Sequence, residues 1–142
     1  MFDWKKEYSI NIKIVDDEHR KLFEIGQSIY DLAINKNYVD YYDRILDLID
    51  ELKEYTVYHF SDEERVMRLY DYPDFDNHKK IHEEFVGKIE NVNLNTVDDD
   101  QQKSILRLMD FVYVWIDEHI LGQDLKIKDY FNQLKNNVDF TK

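Results

Sequence analysis

Every histidine in this chain falls in step with an apolar stripe of helical period. His59 is followed four residues later by Glu63 and His78 four residues later by His82, while His19 and His119 continue stripes of their own. Residues three and four apart share one face of an α-helix, so each pair projects into one volume from one helix. The stripes are long. Val15, His19, Leu22, Gly26, Ile29 and Ala33 define a first helix, which Asp16 or Asp17 can cap and Asn35-Lys36-Asn37 ends. A second, from about Val39 to Tyr70, carries Ile45, Leu48, Leu52, Tyr55, His59, Glu63 and Val66 on one face. Asp71-Tyr72-Pro73-Asp74 breaks the chain. A third helix then aligns Phe75, His78, His82, Phe85, Ile89 and Val92. Beyond a polar loop from Asn93 to Asp100, in which Asp98 with Gln101 resembles a capping box, a fourth aligns Ile105, Leu108, Val112, Ile116 and His119. Gly122 reads as its C-terminal stop. A short last helix over about residues 124–136 is expected to pack back through Leu125, Tyr130 and Leu134.

This pattern predicts an all-α fold, an up-down-up-down four-helix bundle with an N-terminal arm and a short C-terminal helix. The arm, residues 1–15, is rich in aromatics and reads as extended where Ile10, Ile12 and Ile14 alternate. Three glycines and one proline in 142 residues are too few for a turn-rich β fold. No repeat, linker or low-complexity segment divides the chain, so residues 1–142 read as one domain. The lack of cysteine excludes disulfides, iron–sulfur clusters and thiolate zinc sites. With 31 Asp+Glu against 19 Lys+Arg, the net charge of -12 disfavours nucleic acid and anionic membranes as partners. No apolar run reaches the roughly 18 residues of a membrane span. The first residues lack the apolar stretch of a signal peptide, so a cytoplasmic setting is expected.

An imidazole on a core-facing stripe costs roughly 1–3 kcal/mol if its nitrogens are left unsatisfied. Taken singly, each of these histidines is most simply a core residue with a hydrogen bond. Taken together, five of them with Glu63 and Asp124 in step form a ligand set for a pair of metal ions: His19, His59, Glu63, His78, His82, His119 and Asp124. A single zinc ion uses about four donors, and seven would leave three buried without a role. His78 and His82 have the spacing of a metalloprotease helix but lack the glutamate that would serve as base. No glutamate stands three residues before any histidine, so the Glu-x-x-His pairs of ferritin-like centres are absent. Heme would leave the carboxylates unexplained. Ligation rich in histidine and poor in carboxylate suits iron that stays ferrous and binds a neutral gas. Glu64 reads as solvated surface, Asp98-Asp99-Asp100 as a capped helix start, and Trp4 and Trp115 as fillers of the core or of the bundle's lid.

At these residues the chain resembles the hemerythrin family, specifically its single-domain bacterial members. The resemblance runs from Trp4 to about Tyr130. It rests on Asp16-Asp17-Glu18-His19 with Leu22-Phe23, on His59-Phe60 with Glu63-Glu64 and Met67, on Tyr72-Pro73, His78 and His82, and on Trp115 through His119-Ile120 to Asp124. Asn11 stands where glycine is common and Glu18 where glutamine is frequent; neither is a ligand. The resemblance implies two iron ions, passing between Fe2+ and Fe3+, bridged by Glu63, Asp124 and an oxo or hydroxo group. His78, His82 and His119 would complete one iron. His19 and His59 would serve the other, leaving it one open position for dioxygen.

The resemblance also implies an apolar oxygen pocket with Ile116 and Ile120 beside His119; Phe23, Phe60 and Tyr55 are further candidates by helical phase. The implied function is reversible dioxygen binding for delivery, storage or scavenging, without enzymatic turnover. Two other classes stand beside it. An oxygen or redox sensor leads one to expect a fused signalling segment, which these residues do not include. A di-iron oxidase, or an enzyme handling peroxide or nitric oxide, needs proton donors near the open iron, where an apolar pocket is expected. The expected assembly is a monomer or small homo-oligomer, with no protein partner indicated.

Overall fold

The computed structural model describes residues 1–92 and 101–140, with side chains up to residue 135 in the last helix. Five helices dominate: α1 (Lys13–Ala33), α2 (Tyr38–Leu69), α3 (Phe75–Glu90), α4 (Gln101–His119) and α5 (Leu125–Phe140). No strand occurs among the described residues, and none of their helices is long and apolar enough to cross a membrane. α1 packs against α2 and α4, and α2 against α3. Phe85 of α3 closes the fourth side by stacking on Trp115 of α4, with ring centroids 3.8 Å apart. The core joins Leu22, Ile29 and Ala33 of α1 to Ile45, Leu48 and Leu52 of α2, Ile89 of α3 and Ile105 and Val112 of α4. Each aliphatic side chain so buried contributes roughly 1.5–3 kcal/mol. Met67, rather than the half-buried Val66, faces inward near the end of α2, in a second cluster with Tyr72 and Ile127.

Helix direction follows from the histidines. His19 and His78 lie in the opening turns of α1 and α3, whereas His59 lies late in α2 and His119 ends α4. Their rings meet, so the starts of α1 and α3 and the ends of α2 and α4 share one end of the bundle. Alternating directions, the up-down-up-down arrangement, are the result.

Several expected boundaries shift, each for a physical reason. α1 begins at Lys13, ahead of the predicted caps Asp16 and Asp17, and has no side-chain cap. The Asp16 carboxylate instead holds the arm, accepting from the Ser9 hydroxyl at 2.6 Å and the Ile10 N–H at 2.9 Å. Asn11, between them and the helix, has φ 61°. Asparagine tolerates this left-handed conformation better than most residues, and glycine suits it best. The arm is not extended throughout: Lys6–Tyr8 forms one 3₁₀ turn, and Ile14 is an exposed residue of α1. At its beginning, Phe2 lies so close on α1 that a Cβ at Gly26 would come within 2.7 Å of the ring. A small residue on that stripe is therefore required.

Gly122 does not stop α4. Residues 120–124 form a π-helical turn that leads directly into α5. Gly122 has no positive φ, so it is not in the left-handed conformation of a helix C-cap. α5 packs on the α2–α3 turn through the buried Ile127 and through Tyr130, whose hydroxyl donates to the Tyr70 carbonyl at 2.8 Å. Leu125 and Leu134 are only half-buried. The Asn93–Asp100 loop, with the proposed cap at Asp98, lies outside the described residues.

Candidate metal centre

Two ligand pairs are products of helix geometry alone. His59 with Glu63 and His78 with His82 sit one turn apart, on the inward faces of α2 and α3. His119 and Asp124 are a different case. Five residues along an α-helix correspond to about 140° around its axis, which would send the two side chains to different faces. The π turn, with its wider i→i+5 repeat, brings them back together. His119 Nε2 and Asp124 Oδ1 are 3.2 Å apart.

All seven side chains are at least nine-tenths buried and converge on one volume. Donor atoms of Glu63, His78, His82, His119 and Asp124 lie within 4.8 Å of one another, as do those of His19, His59 and Glu63. Every imidazole presents Nε2. Glu63 Oε1 lies 2.8 Å from His78 and 3.2 Å from His82, while its Oε2 lies 3.3 Å from His59 and 3.6 Å from His19. Asp124 divides in the same way, with Oδ1 3.1 Å from His78 and Oδ2 3.1 Å from His19. Each carboxylate therefore turns one oxygen to a three-histidine group and the other to a two-histidine group.

Several of these carboxylate contacts are too long or too poorly aligned to be hydrogen bonds. Glu63 Oε2 and both Asp124 oxygens are buried without a hydrogen-bond partner, although imidazole nitrogens lie 3.1–3.6 Å away. His82 Nε2 and His119 Nε2 also converge, 3.0 Å apart, where one proton can bridge them when no metal is bound. Donors aimed at a shared cation behave in this way. In an octahedron with bonds of about 2.1 Å, adjacent donors are roughly 3 Å apart and opposite ones roughly 4 Å. The three-histidine group fits: its adjacent contacts run from 2.8 to 3.2 Å, and His119 Nε2 stands 3.9 Å from Glu63 Oε1 as an opposite pair. The donor set thus fits two hard-to-borderline metal ions bridged by the two carboxylates.

Without metal, protons hold the cluster together. Burial alone would lower the histidine pKa values, but the carboxylates outweigh it. His59 is raised to about 9 by Glu18 and Glu63, His78 to about 9 by Asp124 and Glu63, and His119 to about 10 chiefly by Asp124. Burial likewise pushes the carboxyls up, yet the histidines hold Glu63 and Asp124 well below the usual carboxylate range.

Two functional side chains were not found from sequence. His59 Nδ1 donates to Glu18 at 2.9 Å, and His82 Nδ1 donates to Glu64 at 2.8 Å. One histidine in each group is thereby oriented by a carboxylate, which fixes its tautomer and raises its basicity. Glu64 is accordingly not solvated surface: its side chain is 17 % exposed and turned inward. The signal available in sequence was the i+4 step from Glu64 to Arg68 on the outer face, which points the wrong way. Aromatic rings complete the setting. Phe60 lies parallel on His82 at 3.8 Å and Trp115 on His119 at 4.4 Å.

A cavity of about 10 Å³ opens beside the two-histidine group, about the space one water-sized molecule needs. Ile116 and Ile120 both line it, with Leu22, Thr56 and Phe60. Phe23 and Tyr55, the other candidates by helical phase, do not.

Comparison with known proteins agrees with this geometry. The family described as hemerythrin HHE cation binding domain matches residues 11–131. The chain belongs to the hemerythrin family. It is 46% identical to a bacteriohemerythrin of Clostridium acetobutylicum over 129 residues, covering 91% of this chain and all of that protein. A bacteriohemerythrin of Stenotrophomonas maltophilia is 26% identical, over 96% of this chain and 83% of its own length. A myohemerythrin of Sipunculus nudus is 29% identical, over 88% and 89%. The hemerythrin match spans α1 to α4 and reaches into α5, and so includes every residue of the cluster.

Proposed function

We propose that this chain binds dioxygen reversibly at two iron ions held by His19, His59, Glu63, His78, His82, His119 and Asp124. The observation that carries the proposal is the asymmetry of the cluster. Two shared carboxylates serve three histidines on one side and two on the other, and the small cavity borders both histidines of the pair, His19 and His59, but only His119 of the three. When bound, the iron pair supplies the electrons that dioxygen takes up and returns.

The chain's own residues do the rest. Glu63 and Asp124 hold the two sites at a fixed separation and balance their charge. His78, His82 and His119 fill one site, so a gas molecule is directed to the other. Leu22, Ile116 and Ile120 would keep water and protons from the cavity, which favours release of the gas unchanged. Thr56 contributes the only hydroxyl to the cavity wall among the described residues, and its proton is committed to the Leu52 carbonyl at 2.7 Å. Among the described residues the wall has no acid besides the histidines assigned to the metals, which favours carriage over oxidase or peroxidase chemistry.

The test is spectroscopic. Reduced, iron-loaded protein exposed to air is expected to develop a visible absorption that bleaches when oxygen is removed, with two irons per chain by metal analysis. One metal per chain, or a colour that oxygen removal never reverses, counts against the proposal.

A further inference from the structure

A second cavity, again of about 10 Å³, lies farther along the bundle, away from the ligand end. Ile49 and Leu52 of α2, Ile89 of α3 and Leu108 and Val112 of α4 form its walls. Thr56 and Phe85 border both this cavity and the one at the metal centre. One side chain from α2 and one from α3 therefore form the partition between them. Lys53 also borders the second cavity, and its side chain is only partly buried, so the cavity approaches the surface there.

We infer that this second cavity is a docking chamber for small apolar gas, and that dioxygen reaches the metal centre from it by passing between Thr56 and Phe85. The inference rests on the proposed reading of the centre as a gas-binding site. A water molecule held in a cavity needs two to four polar partners. Apart from Lys53 at the surface edge and Thr56, the walls are aliphatic and aromatic, and the Thr56 hydroxyl has already given its proton to Leu52. The chamber is therefore dry, as apolar cavities of this kind are, and takes up apolar molecules instead. Its resting size is about that of one water-sized molecule, so dioxygen or xenon enters only as the packed walls yield.

The partition is well defined. Phe85 is held face to face with Trp115, 3.8 Å apart and 13° from parallel, and Thr56 is pinned by its backbone hydrogen bond. Passage then depends on brief rotations of packed side chains, which do occur in protein cores. Such a step sets rates, while affinity is set at the metal. Filling the chamber should slow entry and exit by one common factor.

Crystals of the iron-loaded protein under xenon, and stopped-flow gas binding in solution, test this together. Val112→Ile and Ile89→Phe fill the chamber from α4 and from α3 without touching the wall of the metal-site cavity. The parent is expected to hold xenon in the chamber and both variants to lose it. Their dioxygen association and dissociation rates are expected to fall several-fold by the same factor, with affinity and iron content unchanged. Thr56→Ser, which removes one methyl from the partition, is expected to speed both rates and keeps the test open should a filled variant fold poorly. Xenon found only against the metal centre, or rates unmoved in every variant, would overturn the inference. Nitric oxide binding to the ferrous protein is measured alongside. If air produces no reversible oxygenation, nitric oxide still reports the route, so failure of the carrier reading is seen separately.

Discussion

Glu63→Ala is the substitution that the geometry makes most severe. The carboxylate is 1 % exposed and lies 2.8 to 3.9 Å from Nε2 of all five histidines. In iron-free protein, its removal leaves His78 and His119, which carry protons at neutral pH, with Asp124 as their main partner, and His59 with Glu18. Stripping one member from a buried ion pair costs about 3–5 kcal/mol. For a domain of this size that corresponds to a melting temperature lower by roughly 12–20 °C. In loaded protein, on the proposed assignment, the same change would take a ligand from both metal sites. The neighbouring Glu64 makes the informative control. Its polar partner among the described residues is His82, through Nδ1 at 2.8 Å, and its side chain is 17 % exposed. Losing such an outer partner costs about 10–100-fold in metal affinity and leaves the ligand count intact. Both variants are loaded identically, passed over a desalting column, analysed for iron, and challenged with increasing chelator. Glu63→Ala is expected to keep little or no iron. Glu64→Ala is expected to keep two irons per chain and to surrender them at lower chelator concentration than the parent. The assignment of Glu63 as the shared ligand is refuted if Glu63→Ala retains its iron while Glu64→Ala loses it.

Ile116→Ala and Ile120→Ala each enlarge a cavity that now has room for about one small molecule. They should cost about 2–5 kcal/mol of stability and hasten decay of the oxygenated protein to the ferric form at unchanged iron content; decay at the parental rate removes these residues from the pocket's guard. Glu18→Gln keeps a hydrogen-bond acceptor near His59 Nδ1 but removes its charge, so the centre's reduction potential should rise while iron content stays at two per chain. An unchanged potential would show that the Glu18 charge does not reach the metal. The iron-free protein should also show a characteristic pH profile. His59, His78 and His119, raised to about 9, 9 and 10, contribute stability that is fully present below their unfolded value near 6.5 and lost as pH rises through 9 to 10. Glu63, held low, contributes stability present above its unfolded value near 4.5 and lost as pH falls. Thermal melts should therefore peak between about pH 4.5 and 6.5, and the alkaline decline should vanish on iron loading, which replaces those protons. Rising stability of the iron-free form from pH 7 to 10 would contradict this ordering.

Local periodicity carried much of the site. A period near 3.6 places His59 with Glu63, and His78 with His82, on single faces whatever the rest of the chain does. The same period marked the buried stripes of α1 to α4, and the scarcity of glycine and proline ruled out most competing folds. The polar breaks, above all Asp71-Tyr72-Pro73-Asp74, divided the chain where α2 gives way to α3. These are properties of short segments, and short segments are what a sequence states directly.

Features that depend on the distance between elements were decided only by the tertiary structure. Glu18 and Glu64 differ in sequence from many exposed glutamates in no visible way. They matter because α1 meets α2, and α2 meets α3, at spacings that put each carboxylate against a histidine from the neighbouring helix. Asp16 looked like a helix cap and instead ties down the arm, because the arm folds back within its reach. Gly122 looked like a stop, yet the helix runs through it. Bringing both His119 and Asp124 to the shared centre favours a π turn there, a conformation with no local residue signature of its own. The sequence by itself showed most of the inward faces and all seven candidate donors. Packing decided how those donors divide between two carboxylates, which second partners orient them, and where the cavities lie, because each of these is set by side chains many positions apart in the chain.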